Sequence, residues 1–216
     1  MSLMHRRTLL RLALLPPLLA PIAALAQGLV PPTPRDAADL GQIEAYLNGI
    51  HTLKAHFLQV APDGAISQGT AWLERPGRMR FQYDPPAPFL LVASHGNLVF
   101  EDRSINQISE LPLSLSPLGI LLADHVHLSG AVKVEGFQRL PGQILVTLAR
   151  GGSPRDGSLT LLFTDHPLAL RQWTVLDAQR RETRVTLYNV EQGMILDPKL
   201  FEFVDPRSFQ SGGSGG

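Results

Sequence analysis

Apolar residues recur at every second position through most of this chain, in short runs closed by proline or glycine. In 78–83, Arg78, Arg80 and Gln82 occupy one parity and Met79, Phe81 and Tyr83 the other. Successive strand side chains point to opposite faces, so the run reads as a strand with one polar and one apolar side. The pattern starts at Leu53, Ala55 and Phe57, which alternate with Lys54 and His56. Further strands are expected at 66–74, 89–94, 97–102, 105–110, 131–139, 143–150, 158–164, 168–177, 182–191 and 199–204. Pro62-Asp63-Gly64, His95-Gly96, Asp156-Gly157 and Asp177-Ala178-Gln179 supply turns between them. Evenly spaced hairpin strands predict one antiparallel sheet, curled or partly closed.

Two segments escape the two-residue period. Leu40, Ile43, Leu47 and Ile50 recur at three- and four-residue steps, which predicts a short amphipathic helix over 36–48 with Asp36 as its cap. Asn48-Gly49 reads as its stop. The stripe continues to Leu53, Phe57 and Val60, so a longer helix is the competing reading. The second segment, 111–124, is broken by Pro112 and Pro117 and crowded with leucine. Pro117 in a first turn predicts a short apolar helix over 117–123. Lying between strands, it should cross the sheet rather than extend it.

The ends read differently. Residues 1–26 carry Arg6, Arg7 and Arg11, then an apolar stretch, then Ala24-Leu25-Ala26, and are expected to be an export signal cleaved near Ala26. The alternative is an uncleaved anchor. The arginine pair leaves the twin-arginine and general routes both open. Residues 27–35 read as a proline-rich tether and 207–216 as a flexible Gly/Ser tail, with one domain over 36–206 between them. The chain has 19 basic and 19 acidic residues, so loss of the leader's three arginines leaves an excess of three acids. With no basic tract, nucleic-acid binding is not expected. There is no cysteine, which excludes disulfides, thiolate metal sites and cysteine nucleophiles.

A sheet of ten or so strands has a large apolar face, and two short helices cover it thinly. Either the sheet closes tightly on itself or a hydrophobic cavity lies between sheet and helices.

The segment Gly69-Thr70-Ala71-Trp72-Leu73-Glu74-Arg75-Pro76-Gly77-Arg78-Met79-Arg80-Phe81-Gln82-Tyr83-Asp84-Pro85-Pro86 resembles the signature of the LolA-type outer-membrane lipoprotein carriers. Residues 91–98, the leucine-rich 116–122 and Phe201-Glu202-Phe203-Val204-Asp205-Pro206 are similar to later family motifs, in the family's order. The chain departs from the family at His95, where Asp is usual, and at Val99, near which an aromatic is usual. The resemblance implies a mainly β fold with short helices: an unclosed antiparallel half-barrel covered by an N-terminal helix and a lid helix. It implies a periplasmic, non-enzymatic chaperone that binds the acyl chains of lipoproteins and carries them from the inner to the outer membrane. The expected partners are lipidated N-termini, an inner-membrane lipoprotein-releasing ABC transporter and, if present, an outer-membrane acceptor, with the carrier itself monomeric. A lipid- or lipoprotein-sensing regulatory module of the same fold is the alternative.

On this reading Trp72, Met79, Phe81, Tyr83, Leu91, Leu98 and Phe100 line the lipid cavity, and Leu118, Ile120, Leu121 and Leu122 form the lid helix. The faces of Trp72 and Leu91 are not fixed by pattern. The resemblance further implies that Arg75 reaches the lid backbone, holds it in the empty state and lets go when lipid enters. No catalytic residue, cofactor or metal is expected. His125-Val126-His127 would share a strand face, but no third ligand beyond Asp124 is evident.

Overall fold

The computed structural model describes residues 33, 36–150 and 157–205. The signal segment 1–26, the tail 207–216 and nearly all of the tether 27–35 lie outside the described residues, as does Asp156 of one expected turn.

Helix α1 spans Ala37–Gly49 and buries Ile43 and Leu47. Asp36 makes no side-chain cap to it. Its carboxylate instead accepts from the Thr33 N–H at 2.6 Å and the Thr33 hydroxyl at 2.8 Å, so the expected cap is spent on the preceding chain. The longer helix is not formed, because the chain passes through Ile50 in extended backbone and pairs from Thr52 onward.

The strands are β1 (Thr52–Val60), β2 (Ile66–Glu74), β3 (Arg78–Tyr83), β4 (Phe89–Ser94), β5 (Asn97–Asp102), β6 (Gln107–Pro112), β7 (Val132–Leu140), β8 (Gln143–Arg150), β9 (Ser158–Thr164), β10 (Ala169–Leu176) and β11 (Glu182–Gln192). They form one 11-stranded sheet in the order β6-β5-β4-β3-β2-β1-β11-β10-β9-β8-β7. The chain starts at the centre, walks to one edge at β6, crosses to the other edge at β7 and walks back until β11 lies against β1. Every neighbouring pair in this order is antiparallel, and β6 and β7 do not pair, so the barrel is unclosed. Register breaks in β1, β7 and β10 add local twist and help the sheet curl.

Register sorts the side chains. Ala71, Phe81, Leu91 and Phe100 stand side by side across β2 to β5, all on the concave face. Across the other half, Val185, Trp173, Leu161, Val146 and Phe137 do the same. α1 lies against this second half. The Tyr46 ring meets Phe163 edge-on at 5.9 Å, and its hydroxyl accepts the Leu170 N–H at 3.0 Å.

The convex face carries a second, smaller apolar patch. Leu90 and Val92 are buried there, and Phe201 is buried against β3 and β4. This corrects the expected terminal strand over 199–204. Pro198–Phe201 forms a 3-10 turn, begun by the proline and capped by Asp197, whose carboxylate accepts the Lys199 N–H at 2.9 Å.

Candidate functional site

The edge-to-edge crossing holds a 3-10 turn at Leu113–Leu115 and helix α2 at Leu118–Leu121, which is shorter than the expected 117–123. α2 is apolar all round, and Leu118, Ile120, Leu121 and Leu122 are buried, so the four expected lid residues do sit over the sheet. Gly119 is glycine for want of space: a Cβ there would stand 2.5 Å from the Leu113 carbonyl oxygen and 2.6 Å from Arg150 Nη2.

The cover is held unevenly. At its start the Leu113 N–H donates to the Gly96 carbonyl at 2.8 Å. Over α2, the Gly77 N–H donates to the Leu122 carbonyl at 2.9 Å. Gly77 sits in the β2–β3 turn at φ +71°, a conformation glycine adopts without a Cβ penalty. Past α2 the hold is tighter. The Asn48 amide both donates to the Val126 carbonyl at 2.9 Å and accepts the Val126 N–H at 2.8 Å. The Glu44 carboxylate accepts the Leu128 N–H at 2.8 Å.

Beneath α2 the interior is filled. The void lined by Ile50, Leu53, Leu73, Met79, Phe81, Leu121, Leu170 and Trp173 measures about 10 Å³, room for roughly one water. Of the two readings left open by the sequence, the closed interior describes this state. An acyl chain would have to lift the cover.

Met79, Phe81, Tyr83 and Leu98 are buried on the concave face, and Leu91 and Phe100 are half-buried on it. Trp72 is the exception. It borders the void, yet it stands in register with Lys54 and Arg80, on the parity opposite Ala71 and Leu73. Its side chain therefore belongs to the convex face, because parity and not ring size decides the side. The concave aromatics form a continuous row: Trp173 to Phe81 at 5.9 Å, Phe81 to Phe57 at 4.6 Å, Phe57 to Tyr83 at 5.1 Å, Tyr83 to Phe89 and Phe89 to Phe100 at 5.6 Å each. Such a wall is apolar and non-directional. The Tyr83 hydroxyl within it donates to Gln59 at 2.8 Å, and burial pushes its pKa up to about 12.

Arg75 closes β2's concave side next to the void. Only 9% of it is exposed, and Nε, Nη1 and Nη2 have no hydrogen-bond partner among the described residues. Burial of the unpaired charge pulls its pKa down to about 10. The expected hydrogen bond from Arg75 to the lid backbone is thus not made in this closed state; the neighbouring Gly77 N–H makes it. His125 and His127 are exposed, with His127 Nδ1 3.6 Å from Glu44.

Sequence reasoning missed Glu44 and took Asn48 only as a helix stop. Nothing local marks a partner 78 residues away. It also passed over Phe57 and Trp173 as wall residues, although both lie on apolar parities that pattern alone could have flagged.

Residues 48–204 match the sequence model of the family described as "Outer membrane lipoprotein carrier protein LolA". A protein of Methylococcus capsulatus named outer-membrane lipoprotein carrier protein is 28% identical over 173 residues, 76% of this chain and 83% of that one. One of the same name from Chromobacterium violaceum is 29% identical over 196 residues, 86% and 91% of the two chains. A solved LolA superfamily structure from Nitrosomonas europaea is 11% identical with a TM-score of 0.41, over 76% of this chain and 97% of that one.

Proposed function

Because the chain belongs to the LolA family of outer-membrane lipoprotein carriers, we propose that it is a periplasmic chaperone that shelters the acyl chains of lipoproteins between its concave face and α2. In this role it takes cargo from an inner-membrane ABC transporter and gives it to an outer-membrane acceptor. Among the described residues no helix is long and apolar enough to cross a membrane.

One observation carries the reading: a wide apolar face is shut by a short apolar helix that, among the described residues, has a single backbone bond to the sheet beneath it and an unpartnered guanidinium at its side. A core built only for stability would not leave that cation desolvated and unpaired. A cover built to lift is served by it, since lifting wets the guanidinium and so offsets part of the cost of parting α2 from the sheet.

Magnitudes explain the need for a carrier. A triacylated anchor exposes on the order of 40 methylenes, each costing about 0.8 kcal/mol in water. Free transit at roughly 30 kcal/mol is negligible. Affinities saturate near about −20 kcal/mol, and a carrier must also release. The aromatic and aliphatic wall, with few directional contacts, suits both demands.

We assign Arg75 to release. Arg75→Leu gives acyl chains an apolar wall in place of a cation, so the variant takes cargo but passes it on slowly. The function itself is tested by purifying the exported full chain and examining it by native mass spectrometry, followed by transfer of bound cargo to liposomes. Co-purified acylated lipoprotein that moves to the liposomes is expected. A chain that emerges without lipoprotein or lipid and accepts none would end the proposal.

A further inference from the structure

Arg75 has a counterpart on the far half of the sheet that the lipid-shelter reading does not use. Arg150 ends β8 on the parity of Ile144, Val146 and Leu148, the concave parity, and pairs in register with Val132 of β7. It is the cation on an otherwise apolar strand face. Its Nη2 lies 2.6 Å from where a Cβ of Gly119 would stand, so the guanidinium rests against α2 in space that only glycine leaves open. Its Nε is buried with no hydrogen-bond partner among the described residues.

A cleft of about 460 Å³ opens beside this guanidinium, between α2 and the β7 edge. That volume lies within the range of small-molecule sites. Ile120, Ala123, Val126 and Val132 give it apolar walls, His127 and Ser129 stand in its lining, and none of the described residues lining it is acidic. An apolar cleft with one under-satisfied cation and no counter-charge among the described residues fits a ligand that is greasy at one end and rich in oxygen acceptors at the other. The arginine fork suits clustered carbonyl oxygens, to which it can offer several donors.

Resting on the carrier reading, we infer that Arg150 holds the polar head of the cargo, the ester and amide oxygens of the diacylglyceryl-cysteine group, at this cleft while the acyl chains pass beneath α2. The two arginines then divide the work. Arg75 sits at the buried void and Arg150 at the cleft, with α2 between them. A phospholipid carries the same ester oxygens plus a phosphate, so the test separates the two sources.

Dissociation constants are measured for the full chain and for Arg150→Gln and Arg150→Lys, with three probes: a synthetic diacylglyceryl-cysteine peptide, phosphatidylglycerol, and diphenylhexatriene, which has no oxygen. Arg150→Gln should weaken lipopeptide binding about tenfold, the scale of a hydrogen bond to a charged group, with Arg150→Lys between variant and parent. Diphenylhexatriene binding should not change. Unchanged lipopeptide binding in Arg150→Gln, or equal weakening for all three probes, would overturn the inference while leaving the carrier reading standing. Loss confined to phosphatidylglycerol would give the cleft to phospholipid and overturn the cargo assignment. A parent chain that binds no lipopeptide would remove the carrier reading and this inference together.

Discussion

The two ends of the cover are built on different terms. Past α2, Val126 is buried and both its backbone groups are taken by the Asn48 amide, and Leu128 is held by Glu44. Over α2 itself, among the described residues, one backbone bond from Gly77 and apolar contact do the holding, beside a cation with no hydrogen-bond partner. The anchoring residues of both segments, Leu121 and Leu122 in one and Val126 and Leu128 in the other, are buried, so their depth does not separate them. What separates them is directional bonding: paired hydrogen bonds fix a position, whereas apolar contact tolerates replacement of one greasy neighbour by another. A site that must exchange its own helix for acyl chains can use the second kind of contact. Its hinge needs the first.

The contrast breaks most visibly at Asn48. Asn48→Ala strips both partners from a buried backbone unit and should cost about 3 kcal/mol of stability, two groups at 1–2 kcal/mol each. Denaturant unfolding checks it, and a loss no larger than about 0.5 kcal/mol would mean that the downstream end is not pinned. Next in size is Gly119→Ala. Its new Cβ must push the Leu113 carbonyl or Arg150 aside, so α2 should sit higher at a cost of about 2 kcal/mol. Binding of a hydrophobic dye to the empty protein should rise, and parent-like stability with parent-like dye binding would contradict the tight seat.

Arg75→Leu sharpens the contrast from the other side. Replacing the unpaired buried cation should stabilise the empty protein by about 1 kcal/mol while slowing transfer of cargo to liposomes. Equal transfer rates would remove Arg75 from the release step. The last effect is confined to alkaline pH and concerns Tyr83. Its hydroxyl pKa rises from an ordinary 10.0 to about 12 on folding, so the folded state keeps a proton that the unfolded chain loses. Stability from this group is full below pH 10 and drains away as pH climbs through 12. Arg75, lowered from 12.5 to about 10, works the opposite way: the unfolded chain binds the extra proton, so stability rises with pH over that window. Tyr83→Phe should therefore lose less stability than the parent between pH 10 and 12. Parallel pH curves for the two proteins would contradict it.

Much of this architecture is legible in residue order. The alternation at Arg78–Tyr83 placed a strand with its bounds correct and its apolar side inward, and the charge-poor, proline-broken 111–124 announced a segment that crosses rather than pairs. Period reports face, though, and not depth. It could not say whether Phe81 meets a neighbour or a void, because that depends on how far the sheet curls and where α2 comes to rest. Near the end of the chain a strand was expected over 199–204, yet Asp197-Pro198 sets a turn there. The face of Trp72 was not fixed by pattern; its register with Lys54 and Arg80 gives it the convex parity although it borders the void. Asn48 and Arg150 were unreadable as contacts, since their partners lie 78 and 31 residues away and only the folded sheet brings them to the cover.

The claim that α2 lifts while the downstream end stays fixed can be read at three amides. Gly77 N–H reports the bond over α2, and Val126 and Leu128 N–H report the pinned end. Hydrogen exchange of these amides is followed with and without a saturating diacylglyceryl-cysteine peptide. The account predicts that the peptide strips protection from Gly77 and leaves Val126 and Leu128 as they were. Lipopeptide bound with Gly77 still fully protected, or with all three amides released together, would contradict it.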